Sequence, residues 1–264
     1  MCRSSGACRR RFAQSWGADL ITLGSIARIL PTELKRVDGT EYLDRPGQIP
    51  SLLAGNLDDL RRINRWLGGN WLTIRGIEHL LEEWPSDALV SVVDVGTGGA
   101  DVPDSIVAWG CRSGRRVRVL AGDVSPEIIQ VARVKVGPRV DLAVLDGRCL
   151  PLADGSVDVA VCSLLLHHLS PDDAVALLRE MNRVSRRGIV VNDLVRSRLG
   201  YLGAVAIGWL ATQNPLTRHD GPLSVRRAYT QSEMADLASR AGLSQPRFWG
   251  YLGYRLAMAA GAPQ

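Results

Sequence analysis

The stretch Val90-Ser-Val-Val-Asp-Val-Gly-Thr-Gly-Gly-Ala100 constrains the fold more than any other, because an apolar run passes through an acid straight into a glycine turn. A buried strand of a parallel sheet reads this way where it delivers a nucleotide-like ligand to the following helix. Gly96 can adopt the positive φ of a tight turn, and Gly98, without a Cβ, lets the backbone approach a ligand closely. Helix N–H groups starting near Ala100 would face an anionic group. Three more apolar runs follow. Val117 to Ala121 ends at Gly122-Asp123, Val140 to Leu145 ends at Asp146-Gly147, and Val157 to Cys162 ends in Ser163-Leu-Leu-Leu-His-His168. Each finishes on polar groups, as expected where ligands sit beyond the carboxyl ends of an open α/β sheet.

The remaining pattern alternates. Helices are expected at 102–112, 126–136 and 171–185, and strands at 116–122, 139–145, 157–163 and 188–194. Upstream, Leu53, Leu57, Leu60 and Leu67 have helical spacing. Gly68-Gly69-Asn70 breaks that helix before a second one ending near Trp84-Pro85. From Val195 to Tyr229 the alternation stops, which marks 195–229 as a candidate substrate lid. This segment opens on Leu199 to Ala211, thirteen nearly all-apolar residues. A bilayer needs about 20, so no transmembrane segment is expected, and a buried or interfacial helix lining an apolar pocket remains. A helix at 231–241 and a closing antiparallel hairpin from Gln245 to Ala260 complete the domain, assigned as 51–264.

These motifs resemble the class I S-adenosylmethionine-dependent methyltransferases, of the bacterial small-molecule, tailoring or quinone-pathway type. The matching residues are Asp94-Val-Gly-Thr-Gly-Gly-Ala, Gly122-Asp-Val-Ser-Pro-Glu, Asp146-Gly-Arg-Cys-Leu-Pro151, Ala153-Asp-Gly-Ser-Val-Asp-Val and Leu178-Arg-Glu-Met-Asn-Arg-Val184. The resemblance implies a doubly wound, mostly parallel seven-stranded α/β sheet with N-terminal helices and an inserted lid, and S-adenosyl-L-methionine as cofactor. Two positions depart from the family: Ala100 replaces the third glycine, expected to be harmless, and Ser185-Arg-Arg-Gly188 replaces a Pro-Gly-Gly turn.

Asp123, ending the second strand, is placed to accept hydrogen bonds from both hydroxyls of a ribose. By resemblance Asp146 would meet the adenine amino group, with Gly147 offering backbone and Val124 and Leu150 apolar faces. Asp94 would lie near the cofactor's amino end, where a carboxylate also suits a sulfonium. Gly96, Thr97, Gly98 and Ser163 complete the cofactor set. Methyl transfer from a sulfonium is downhill, so an enzyme must mainly align the reactants and exclude water, and an oxygen nucleophile also has to lose its proton. His167 and His168 follow the fourth strand at the ligand edge, and adjacent residues diverge, so one of them is expected to enter the site as a base. Asp193, after the fifth strand, is the candidate orienter, and His219 beside Asp220 is the alternative base. Arg218, Arg226 and Arg227 are either a substrate clamp or solvated loop residues. No His, Asp or Glu spacing reads as a metal site, so metal-independent chemistry is expected.

The net charge of +5 is misleading until it is located along the chain. Residues 1–36 carry seven basic groups against Asp19 and Glu33, which leaves 25 basic and 25 acidic residues after them. A neutral catalytic domain disfavours nucleic acid as substrate. The first 50 residues are assigned as an N-terminal extension. Arg9-Arg-Arg-Phe-Ala at its start is compatible with an unordered tail, a packing helix or a targeting segment. Five scattered cysteines with no Cys-x-x-Cys pair fit a reducing cytoplasm. The expected partner is a small, hydrophobic acceptor of phenolic or polyketide-like type methylated at oxygen, as in secondary metabolism, and a homo-oligomer is compatible. Two rivals stay open: an NAD(P)-dependent oxidoreductase, disfavoured because no Tyr-x-x-x-Lys pair is present, and a non-catalytic partner protein that keeps the fold.

Overall fold

The computed structural model describes residues 34–45 and 47–261, all within one compact unit, Glu33–Gln264. The basic cluster at Arg3 to Arg11 therefore lies outside the described residues. Two helices, α1 (Pro50–Trp66) and α2 (Gly69–Leu80), precede the first strand. The central run alternates β1 (Val90–Val95), α3 (Asp101–Ser113), β2 (Val117–Asp123), α4 (Pro126–Val136), β3 (Asp141–Val144), β4 (Val157–Ser163), α5 (Pro171–Val184) and β5 (Ser185–Leu194). The chain closes with α6 (Arg198–Leu210), α7 (Pro215–Arg227), α8 (Gln231–Arg240), β6 (Arg247–Tyr251) and β7 (Arg255–Gly261).

The seven strands form one sheet in the order β3-β2-β1-β4-β5-β7-β6, parallel except for β7. Its inner strands are apolar because helices cover both faces. Along β5, Ile189 and Val191 face a core shared with Leu177, Leu178 and Met181 of α5 and Met234 and Leu237 of α8. Val190 faces the other core, with Ile77, Ile106 and Trp109. The α5 residues recur at helical spacing, and the helix starts where Ser170 Oγ accepts from Asp173 N and Pro171 presets the first turn. Thr230 and Glu233 cap α8 reciprocally.

The strand order reverses between β1 and β4, so a crevice opens at their carboxyl ends. Three differences from the sequence reading bear on it. Residues 34–45, assigned to an extension, pack against α7: Val37 N donates to Arg226 O at 3.3 Å, and Tyr42 N and Leu43 N donate to Asp220 at 2.8 and 3.0 Å. Segment 195–229 is helical, and α7 is tied to α1 by Asn56 Nδ2 to Thr217 Oγ1 (3.0 Å) and Thr217 Oγ1 to Asp59 (2.7 Å). No turn separates α5 from β5, since strand pairing already begins at Ser185. Among the described residues no helix is long and apolar enough to cross a membrane.

Candidate active site

A cavity of about 950 Å³ lies over the carboxyl ends of the strands, at the upper end of the usual range for small-molecule sites. Its floor is the turn after β1. Gly96 and Gly98 have φ of 72° and 52°, which spares them the steric cost a side chain would incur. Ala100 also sits in the left-handed region, at φ 55°, fully buried. The departure from glycine is thus tolerated but not free, at about 1 kcal/mol for an L-residue in this conformation.

Three carboxylates surround this floor. Asp123 accepts from Gly98 N and Ser125 N, each at 3.1 Å, so one oxygen is fixed by each bond while further lone pairs stay available. Burial pushes its pKa up. Asp94 is 1% exposed; burial, with Asp101 and Asp123 close by, pushes its carboxyl up to about 8. Asp94 Oδ1 and the cavity-lining Thr97 Oγ1 are buried without a hydrogen-bond partner. Asp94 itself lines no part of the cavity, and Thr97, whose side chain acts on its carboxyl, stands between it and any ligand. The sequence reading missed Asp101 and Asn64, which meet through Asn64 Nδ2 to Asp101 Oδ2 at 3.0 Å, both lining the cavity. Asp101 directly follows the glycine turn, so its place on the first helical turn was a usable signal; nothing marks Asn64.

Asp146 and Gly147 lie on the rim, as do the exposed Val124 and, opposite, Ser163. Asp146 is engaged: Arg148 donates from its backbone N (2.9 Å) and from Nη2 (2.8 Å), and these bonds hold the carboxyl below its ordinary range. Any contact with a nucleobase must therefore compete with Arg148. Gly147 is required by packing, since a Cβ would meet Val95 Cγ1 at 2.5 Å. Leu150 is in the core and lines no part of the cavity.

At the other end of the cavity the side chains come from far apart in the sequence. His167 is buried, and its Nδ1 lies 2.6 Å from Asp193 Oδ1. Asp193 also accepts from His167 N (3.0 Å) and Leu194 N (2.7 Å), and against the penalty of burial the charge and hydrogen bond of His167 hold it low. In the neutral imidazole that bond fixes the proton on Nδ1 and leaves Nε2 to accept; Nε2 lies 3.7 Å from Glu41 Oε1. His168 Nδ1 meets Asp44 Oδ2 at 3.0 Å; although burial opposes it, Asp44 and Glu41 raise its pKa, so His168 leans towards the charged form. Arg227 donates to Glu41 Oε1 at 3.3 Å and to His168 O at 2.8 Å, an internal strut rather than a solvated loop residue.

His219 does not join this group. Its ring stacks on Tyr42 (centroids 3.6 Å apart, planes 3° apart), its Nδ1 bonds Asp220, and it lines no part of the cavity. Glu41, His167 and His168 place one donor atom each within 4.8 Å of one another, a trio able to accept a metal ion. The sequence spacing gave no sign of it because Glu41 is distant in the chain. The Arg227 guanidinium competes for Glu41, and both histidines reach it through Nε2.

A switch-point crevice with a glycine turn and a buried acid ending β2 is where open α/β sheets hold nucleotide-like ligands. Residues 92–188 match the family model described as "Methyltransferase domain". Comparison with curated protein sequences gives no significant match. Among solved structures, a SAM-dependent methyltransferase from Aquifex aeolicus is 20% identical, covering 82% of this chain and all of that one, with a TM-score of 0.56. Human N-acetylserotonin methyltransferase in complex with SAM is 15% identical, covering 82% of this chain and 57% of that one, with a TM-score of 0.60. The CurJ carbon methyltransferase is 13% identical over 73% of this chain and 54% of that one, with a TM-score of 0.55. Residues 92–188 thus carry a methyltransferase domain, within a fold shared with these S-adenosylmethionine-dependent methyltransferases.

Proposed function

We propose that this enzyme methylates an oxygen of a small, hydrophobic organic acceptor. S-adenosylmethionine supplies a methyl group activated by a positively charged sulfur. Asp123 would hold the ribose hydroxyls, Thr97 and the turn amides the backbone of the site, and Asp94 with Asp101 the cationic methionyl end. The glycine turn and the cavity-lining Thr97, Asp101 and Asp123 support this fit, with Asp94 acting from behind Thr97.

The observation that carries the oxygen assignment is the His167–Asp193 pair at the cavity wall. An acceptor hydroxyl would give its proton to His167 Nε2. Asp193 would keep the ring oriented, and Glu41 would stabilise the imidazolium that forms. His168, whose Nδ1 is taken by Asp44 and whose pKa Asp44 and Glu41 raise, is less free to take a proton. The apolar acceptor is supported by the opposite wall, where Gly203, Ala204 and Ile207 of α6 and Val225 of α7 face the cavity. Within 195–229, α7 is pinned to α1, and α6 is held to α7 where Arg218 Nε donates to Gly208 O at 3.0 Å. Three unpaired cysteines among the described residues, Cys111, Cys149 and Cys162, agree with a reducing compartment.

The test is a methyl-transfer assay with isotopically labelled cofactor over phenolic, carboxylic and amine acceptors. Product on phenols or acids, lost in His167→Asn, is expected; turnover of amines alone would reject the oxygen assignment.

A further inference from the structure

We infer that the outer face of α6 seats the enzyme on an anionic lipid bilayer, from which an apolar acceptor enters the cavity. This goes beyond the proposed function and rests on it only in taking the acceptor as apolar. Helix α6 is apolar all round, which a helix at the surface of a water-soluble domain ordinarily is not. One face, with Gly203, Ala204 and Ile207, lines the cavity. The other presents Leu202, Trp209 and Leu210, 64%, 71% and 87% exposed. At thirteen residues the helix is too short to span a membrane but long enough to lie in its interface.

The face does not end with α6. Ser197 Oγ bonds Gly253 O, which brings the β6–β7 turn beside the start of the helix. Leu199 and Leu252, 59% and 68% exposed, both also line the cavity. Exposed apolar surface is thus continuous with the cavity wall. The same turn reaches the α1–α2 junction, where Trp71 lies 6.3 Å from Tyr251 and Trp66 is 72% exposed.

Charge selects the occupant. Residues 194–219 and 60–77 contain no acid, and nor does anything after Asp236. The exposed tryptophans instead carry arginines: Arg65 over Trp66 at 5.5 Å, Arg75 over Trp71 at 5.4 Å and Arg218 over Trp209 at 5.3 Å. Indole rings paired with guanidinium groups, with no carboxylate among them, match the boundary between anionic headgroups and acyl chains. A second copy would instead bring arginines against arginines.

The test is sedimentation of the full chain with vesicles of phosphatidylcholine alone or with about 30% phosphatidylglycerol. The full chain should pellet with the anionic vesicles and be released by salt. Leu202→Ser and Trp209→Ser should each weaken binding about tenfold, and Trp209→Phe should retain most of it. S-adenosylmethionine affinity, measured in parallel, should be unchanged in all three variants, which separates this inference from the assignment of the acceptor. Failure of the full chain to pellet would overturn it. So would vesicle binding indifferent to both serine variants, which would assign the contact to another part of the chain. A dimer seen by sedimentation velocity and lost in Trp209→Ser, without vesicle binding, would give the face to a second copy.

Discussion

The two ends of the cavity are built in different ways. At the cofactor end, Asp94, the glycine turn, Asp101 and Asp123 lie within thirty residues on adjacent strand ends, and several of their polar atoms are buried without partners. At the acceptor end nearly every charged group already has one: His167 has Asp193, His168 has Asp44, Arg227 has Glu41, and Asp220 has two backbone amides. The first end gathers acids and an unpartnered cavity-lining hydroxyl, Thr97 Oγ1, where a cationic ligand would be favoured. The second spends its charges on holding its own shape and one tautomer, and leaves the acceptor an apolar wall.

The sharpest way to break this contrast is a substitution that separates chemistry from binding. His167→Ala should lower kcat by about 10²- to 10⁴-fold, the usual worth of a positioned base, with cofactor affinity intact. Equal loss in both would place His167 in the cofactor site. Next in size is Asp220→Ala, which strands two amides of the 34–45 segment. It should cost about 1–3 kcal/mol in urea unfolding, and acceptor KM should rise while cofactor affinity holds.

A smaller effect follows from Asp94, whose carboxyl is pushed up to about 8. Below that pH it is protonated in the free protein, and a cationic ligand favours the ionised form. Affinity for S-adenosylmethionine should therefore rise about tenfold between pH 6.5 and 8 and binding at neutral pH should release a proton, seen as a buffer-dependent heat that vanishes in Asp94→Asn. In the free protein the sign is opposite. A carboxyl raised above its ordinary value of 3.8 contributes full stability below that value and loses it as pH rises through about 8. The smallest expected effect is that of a chelator: with Arg227 already neutralising Glu41, activity should survive it. Activity lost to chelation and restored by a divalent ion would make Glu41, His167 and His168 a metal centre.

How legible each end was follows from the same contrast. The order of strands and helices, Asp94 and Asp123 could be read because each acid lies within or directly after an apolar run, a signal contained within a few residues, whereas Asp101 on the following helix was missed. Asp146 was placed correctly at its strand end, but its pairing with Arg148 two residues on was not foreseen, since side-chain direction in a turn is set by tertiary surroundings. Glu41 and Asp44 were illegible as site residues, and Arg227 was read as a substrate clamp or a solvated loop residue, not as a strut. They are brought together only when the segment before α1 docks on α7, and His168 and Asp44 are 124 positions apart. His219-Asp220 looked like a base with its acid, yet Asp220 turns to the amides of Tyr42 and Leu43 while His219 stacks on the Tyr42 ring.

The central claim is that S-adenosylmethionine binds across the carboxyl ends of β1 and β2 with its ribose on Asp123. Calorimetric titration of the full chain and of Asp123→Ala tests it most directly. The account predicts saturable binding by the full chain, weakened about 10- to 100-fold in the variant, the worth of charge-assisted hydrogen bonds. Undiminished affinity in a folded Asp123→Ala would contradict it.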